Sequence, residues 1–189
     1  MGNVAVFASG GGTNFQAIAD ALKDSPHQVV LLVCDKKKAQ VRQRALDAGI
    51  PVESIVYRKG RTREEAEQEL LSRMAQYSID LIALAGFMRL LSPLLVDAYK
   101  DKILNIHPSL LPKYPGTRGI EESFYSGDDE LGITIHRVDY GLDTGSIIRQ
   151  GRISRIDGES LKDFESRIHA LEHRLYPEVI FDILERHIH

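Results

Sequence analysis

NVAVFASGGGTNFQAIADAL, residues 3–22, is the stretch that decides the fold. Asn3 to Ala8 is an apolar run of strand length. Over Asn14 to Leu22, Phe15, Ile18, Ala19 and Leu22 recur at helical spacing. Ser9-Gly10-Gly11-Gly12-Thr13 lies between the two. A strand that runs through a glycine loop into a helix is the opening unit of a parallel α/β sheet.

The alternation continues outward. Gln28 to Cys34 reads as a second strand, followed by a helix over Ala39 to Ala48 that Gly49 ends and Pro51 keeps from restarting. Val52 to Val56 reads as a third strand. Thr62 to Tyr77 is a charged amphipathic helix, with Thr62 and Glu65 spaced as a capping box. Ile79 to Leu84 and Lys102 to Ile106 complete five strands. Beyond them the pattern changes: Gly132 to Val138 and Ser146 to Ile156 are strands joined by a turn-rich link, which predicts an antiparallel extension. Leu161 to His187 reads as a long helix with Pro177 as a kink, and His187 and His189 as frayed terminal residues. The expected fold is α/β: a doubly wound, mostly parallel Rossmann-like sheet with an antiparallel C-terminal extension and a long C-terminal helix. With no repeat, low-complexity tract or linker, the 189 residues suit a single domain spanning 1–189.

Lys plus Arg number 24 against 27 Asp plus Glu, so the basic excess of a nucleic-acid binder is missing and no nucleic-acid partner is expected. The run Lys36-Lys37-Lys38 reads as a solvated helix start. Cys34 is the only cysteine, which excludes an intrachain disulfide, and its apolar surroundings suit a buried small side chain. No secretory signal is evident, and no apolar stretch reaches the roughly 20 residues of a membrane span. A soluble, cytoplasmic protein without a membrane partner is expected.

Three constellations carry chemistry. The glycine loop lets backbone N–H groups approach a ligand at the positive end of the following helix. Phe15 breaks the G-x-G-x-x-G pattern and no P-loop lysine is present, so the loop is either a site for a simple phosphate or a tight turn without ligand. Thr13 and Asn14 would add side-chain donors. The second is Asn105-Ile106-His107-Pro108, at the end of a parallel strand, where ligands gather in such sheets. Alternation puts Asn105 and His107 on one side. An amide and an imidazole there can act on one carbonyl, whereas a strand-end histidine alone is often merely hydrogen-bonded. The third is the turn-rich loop Val138 to Gly145, whose two carboxylates, Asp139 and Asp143, are turn formers unless one lies beside His107 and favours its imidazolium. His169 and His173 stand four apart on the last helix, but H-E-x-x-H is not met and no third ligand is near, so no metal is expected.

FASGGGTNFQAI (7–18), DLIALAGFMRLLSP (80–93), NIHPSLLPKYPG (105–116), GITIHRVDYGLDTG (132–145) and RIHALEHRLYP (167–177) together resemble the folate-dependent formyltransferase family over nearly the whole chain. NIHPSLLP and the D-x-G loop carry the superfamily; the glycine loop and the last helix are similar to the branch acting on glycinamide ribonucleotide. The resemblance implies an enzyme of de novo purine synthesis. It would move the formyl group of 10-formyltetrahydrofolate, a co-substrate, to the amine of glycinamide ribonucleotide, giving formylglycinamide ribonucleotide and tetrahydrofolate. It implies catalytic roles for Asn105, His107 and Asp143. Gly11, Gly12, Thr13 and Asn14 would hold the acceptor phosphate, and Glu172 and His169 would face its ribose and glycinamide side. Met88, Arg89, Leu90 and Leu91 would line the folate pocket with backbone from Val138, Asp139, Tyr140 and Gly141 to Asp143. It also implies no metal and a possible homodimer. Where many relatives carry a histidine after Pro115-Gly116, this chain has Thr117-Arg118-Gly119, and Arg118 is a candidate anion contact. The alternatives are a formyltransferase for another amine acceptor, such as a tRNA or a sugar nucleotide, a formyltetrahydrofolate hydrolase, or a folate- or phosphate-binding module without chemistry. The first and second would carry further domains or segments.

Overall fold

A computed structural model of the chain describes residues 1–186. In order it forms β1 (Asn3–Ala8), α1 (Thr13–Leu22), β2 (Gln28–Cys34), α2 (Gln40–Asp47), β3 (Val52–Ser54), α3 (Arg63–Met74), a 3-10 turn over Ala75–Tyr77, β4 (Leu81–Leu84), α4 (Pro93–Ala98), β5 (Ile103–His107), α5 (Gly119–Tyr125), β6 (Glu130–Arg137), β7 (Ile147–Ser154) and α6 (Leu161–Arg186). The strands make one sheet in the order β3-β2-β1-β4-β5-β6-β7. Strands β1 to β5 pair in parallel, and β6 and β7 add on antiparallel.

Strand alternation divides the core in two. Val4, Val6 and Ala8 face α1 and α6, where Phe15, Ile18, Phe164 and Tyr176 are buried. Ala5 and Phe7 face the opposite layer, with Leu70 and Met74 of α3 and Leu95 of α4. Burying side chains of this size contributes about 1.5–3 kcal/mol each. The Tyr176 hydroxyl donates to the Leu84 and Leu104 carbonyls, both at 3.1 Å, and so ties α6 to β4 and β5.

The sequence boundaries need several corrections. The third strand stops at Ser54 rather than Val56, because only Leu32, Val33 and Cys34 of β2 pair with it. The fifth extends to His107, held there by antiparallel pairing with Thr134 of β6. Helices α4 and α5 went unforeseen; at six and seven residues they are too short for a periodic signal. The Thr62–Glu65 capping box is present in full. Helix α6 runs through Pro177 for 26 residues. His187 and His189 lie outside the described residues. Lys36, Lys37 and Lys38 are exposed just ahead of α2, and Cys34 is buried.

The chain leaves β1 toward β2 on one side and returns to β4 on the other. That reversal opens a crevice at the carboxyl ends of β1, β4 and β5, where such sheets bind ligands.

Candidate active site

A cavity of about 540 Å³ occupies that crevice. Four groups of residues furnish it: the glycine loop after β1 with the start of α1, the segment after β4, the ends of β5 and β6 with the loops that follow, and the face of α6 that carries His169 and Glu172. Gly12 caps α1 with a left-handed backbone (φ 76°), and a Cβ there would lie 2.4 Å from Val41 Cγ2 and 2.9 Å from Val41 Cα. Only glycine satisfies both conditions, and the tight turn opens the helix N-terminus to the cavity.

Antiparallel register sets Asn105 directly opposite His136. Asn105 Nδ2 lies 3.1 Å from His136 Nε2 and 3.5 Å from Asp143 Oδ1. His136 Nδ1 is 2.8 Å from the Arg137 carbonyl and must donate to it, so in the neutral ring Nε2 accepts from Asn105. His107 Nε2 donates to the Tyr114 carbonyl at 2.8 Å, while its Nδ1 is 3.4 Å from Asp143 Oδ2. Gly119 leaves room for that pairing, since a Cβ there would meet His107 Nε2 at 3.0 Å.

Asp143 is the hub. Its Oδ2 accepts the Gly116 N–H at 2.8 Å, and its Oδ1 is 3.6 Å from His136 Nε2. Its backbone takes a left-handed conformation (φ 55°), which Asp tolerates better than most residues. Burial pushes its carboxyl upward. The bond from the Gly116 N–H and the imidazoles of His107 and His136 beside it outweigh that and hold it below the ordinary carboxylate value. Asp143 is therefore an anion at neutral pH.

At the other end, the Asn14 amide donates to Glu172 Oε2 at 3.0 Å, and His169 Nδ1 is 2.9 Å from the same oxygen. This bond to Glu172 raises the His169 pKa against the effect of burial. The neighbouring His173 is pushed down, chiefly by burial. Asn14 Oδ1 is buried without a hydrogen-bond partner.

Gly11, Gly12, Thr13, Asn14, Met88, Arg89, Leu90, Leu91, Asn105, His107, Val138, Gly141, Asp143, His169 and Glu172 all line this one cavity. Asp139 and Tyr140 are not among its lining residues. The Tyr140 hydroxyl bonds Asp97 of α4 at 2.5 Å, and Asp139 accepts from the Gly141 N–H and the Thr144 hydroxyl, so both brace the loop. Arg118 is also absent from the lining and pairs with Glu122 at 3.2 Å. The sequence reading missed His136. Its signal was the alternation of Thr134 and His136 in GITIHRVD, legible only once β6 is laid against β5. Among the described residues no group of three or more His, Cys, Asp and Glu could hold a metal ion. No helix among them is long and apolar enough to cross a membrane.

The chain is similar to known proteins over nearly its whole described length. The formyl transferase family model matches residues 2–180. Phosphoribosylglycinamide formyltransferase of Bacillus subtilis (strain 168) is 44% identical over 186 residues, covering 97% of this chain and 95% of the relative. The enzyme of the same name from Escherichia coli (strain K12) is 39% identical over 180 residues, covering 94% and 85%. The crystal structure of phosphoribosylglycinamide formyltransferase from Streptococcus pneumoniae TIGR4 superposes with a TM-score of 0.91 at 39% identity, covering 97% of this chain and 99% of that one.

Proposed function

The chain belongs to the formyl transferase family, and from that premise we propose that it moves the formyl group of 10-formyltetrahydrofolate to the amine of glycinamide ribonucleotide. One observation carries the reading: Asn105, His107 and Asp143 meet at the wall of a single cavity that is also lined by a glycine loop and by exposed apolar residues. The glycine loop and the N-terminus of α1 suit the acceptor's phosphate. Glu172, held by Asn14 and His169, suits a ribose hydroxyl as a hydrogen-bond acceptor. Met88 and Leu90, 54% and 44% exposed, and Leu142 suit the flat apolar body of a reduced folate.

In this mechanism the acceptor amine attacks the formyl carbon and a C–N bond forms. The tetrahedral centre carries an oxyanion. Asn105 Nδ2 has two hydrogens: one is committed to His136, and the other, with only the long contact to Asp143, turns to the oxyanion. His107 Nε2 is committed to Tyr114, so its Nδ1 edge is the one that works; protonated, it stabilises the same charge. Asp143 favours that imidazolium and takes the proton lost by the attacking amine. The proton passes to the folate nitrogen as its bond to the formyl carbon breaks, releasing tetrahydrofolate and formylglycinamide ribonucleotide. Side-by-side binding of the two substrates supplies much of the acceleration.

Purified protein is mixed with 10-formyltetrahydrofolate, and tetrahydrofolate release is followed with and without glycinamide ribonucleotide. Release that depends on the nucleotide is expected. Equal release without it would make the protein a hydrolase and overturn the reading.

A further inference from the structure

Met88, Arg89 and Leu90 are exposed on the cavity rim and belong to no strand or helix. A surface segment without ladder bonds keeps its shape only where its ends are tied. Its first end is tied by the Met88 N–H, which donates to Ser9 Oγ at 3.0 Å. Its second end is Ser92, which is completely buried. The Ser92 N–H lies 3.2 and 3.0 Å from the two carboxylate oxygens of Glu67, and the Ser92 hydroxyl donates to Glu67 Oε2.

Glu67 is an anomaly by local rules. It sits in the charged helix α3 yet is 0% exposed. Burying a carboxylate is costly, and here burial raises its pKa while the bonds from Ser92 and Tyr57 pull it back. Ser92 is anomalous too. It stands at the N-cap of α4 with extended backbone, where a serine ordinarily bonds the first-turn amides, but it makes no such bond. Its hydroxyl is given to Glu67 instead. The other partner of Glu67 is the Tyr57 hydroxyl at 3.2 Å, and the Arg89 guanidinium lies 5.4 Å from the centre of the Tyr57 ring. Both partners of this buried carboxylate therefore support the same exposed wall. Arg63, on the same helix, adds a 3.4 Å bond to the Leu91 carbonyl.

We propose that Glu67 is a positioning residue for the formyl donor: through Ser92 and Tyr57 it fixes the 88–91 segment that walls the donor side of the cavity. The inference rests on the assignment of that wall to the folate made above. Glu67 touches neither the trio nor the glycine loop, and the end of the segment that it holds, Ser92, is the one away from Ser9, so it acts on donor binding and not on the acceptor or the chemical step.

The test compares wild type with Glu67→Ala, Glu67→Gln and Ser92→Ala by steady-state kinetics on both substrates, with melting temperatures alongside. Glu67→Ala is expected to raise the donor KM about tenfold or more, with the acceptor KM and kcat within about twofold. Glu67→Gln keeps one acceptor oxygen for Ser92 and should rescue most of the loss. Ser92→Ala should fall between, and these two milder variants decide the question if Glu67→Ala does not fold. Donor KM unmoved in the folded variants, or donor and acceptor KM rising together, would overturn the positioning role. A wild type with no turnover of this donor would instead remove the functional reading and this inference with it.

Discussion

Asn14 and Glu172 are 158 residues apart in the chain, yet the amide of one donates to the carboxylate of the other at 3.0 Å. The bond joins the first turn of α1 to α6, and His169 holds the same carboxylate oxygen. Glu172 is 4% exposed and so presents a fixed acceptor to the cavity. Glu172→Ala should raise the KM for glycinamide ribonucleotide about tenfold or more and leave the donor KM nearly unchanged, since a buried hydrogen-bond acceptor is lost at one end only. A donor KM that rises equally would refute the division of the cavity.

The same pair predicts a pH effect. The folded pKa of His169 is raised above 6.5 by Glu172. A histidine raised on folding contributes stability that is complete below its unfolded pKa and is lost as pH rises through the folded one. Urea unfolding of wild type and Glu172→Gln should therefore show a stability gap that narrows as pH climbs above 6.5. The effect is small, because the His169 side chain is 41% exposed and solvent screens the pair. A gap that widens with pH would contradict the assigned sign.

Asp143→Asn keeps an acceptor for the Gly116 N–H but cannot take a proton or favour an imidazolium. Turnover should fall about a hundredfold or more, the scale of lost general acid–base catalysis, with the melting temperature little changed. Near-normal kcat in a folded variant would remove Asp143 from the mechanism.

Two neighbouring glycines should behave oppositely. Gly12→Ala places a Cβ against the Val41 side chain and backbone at a left-handed φ, and should destabilise the fold by about 1–3 kcal/mol or more while weakening acceptor binding. A Cβ at Gly10 meets nothing within 4 Å, so Gly10→Ala should melt close to wild type. Equal melting temperatures for the two would show that the turn relaxes around the added methyl.

The parallel half of the fold was legible because its signals are local: apolar runs of strand length, a capping box at Thr62 and Glu65, and Gly49 and Pro51 closing a helix. The Asn105–His107 spacing likewise announced one face of one strand. His136 was not legible, because its meaning comes from the β5–β6 register and not from its own neighbours. Glu67 was hidden for a similar reason. Inside REEAEQELLSRM it looks like one solvated charge among several, and only the packing of α3 under Ser92 sets it apart. The side chains of Asp139 and Tyr140, in a loop expected from the family resemblance to offer its backbone to the folate, turn to Thr144 and Asp97, partners that sequence alone does not announce.

The cavity also has a history written into its order along the chain. The wall proposed for the donor and the trio come from segments between Leu84 and Asp143, all made before α6. Its acceptor end needs both the first helix and the last, since Asn14 waits for Glu172. A growing polypeptide therefore lacks the Asn14–Glu172 bond until α6 has been made and packed against α1.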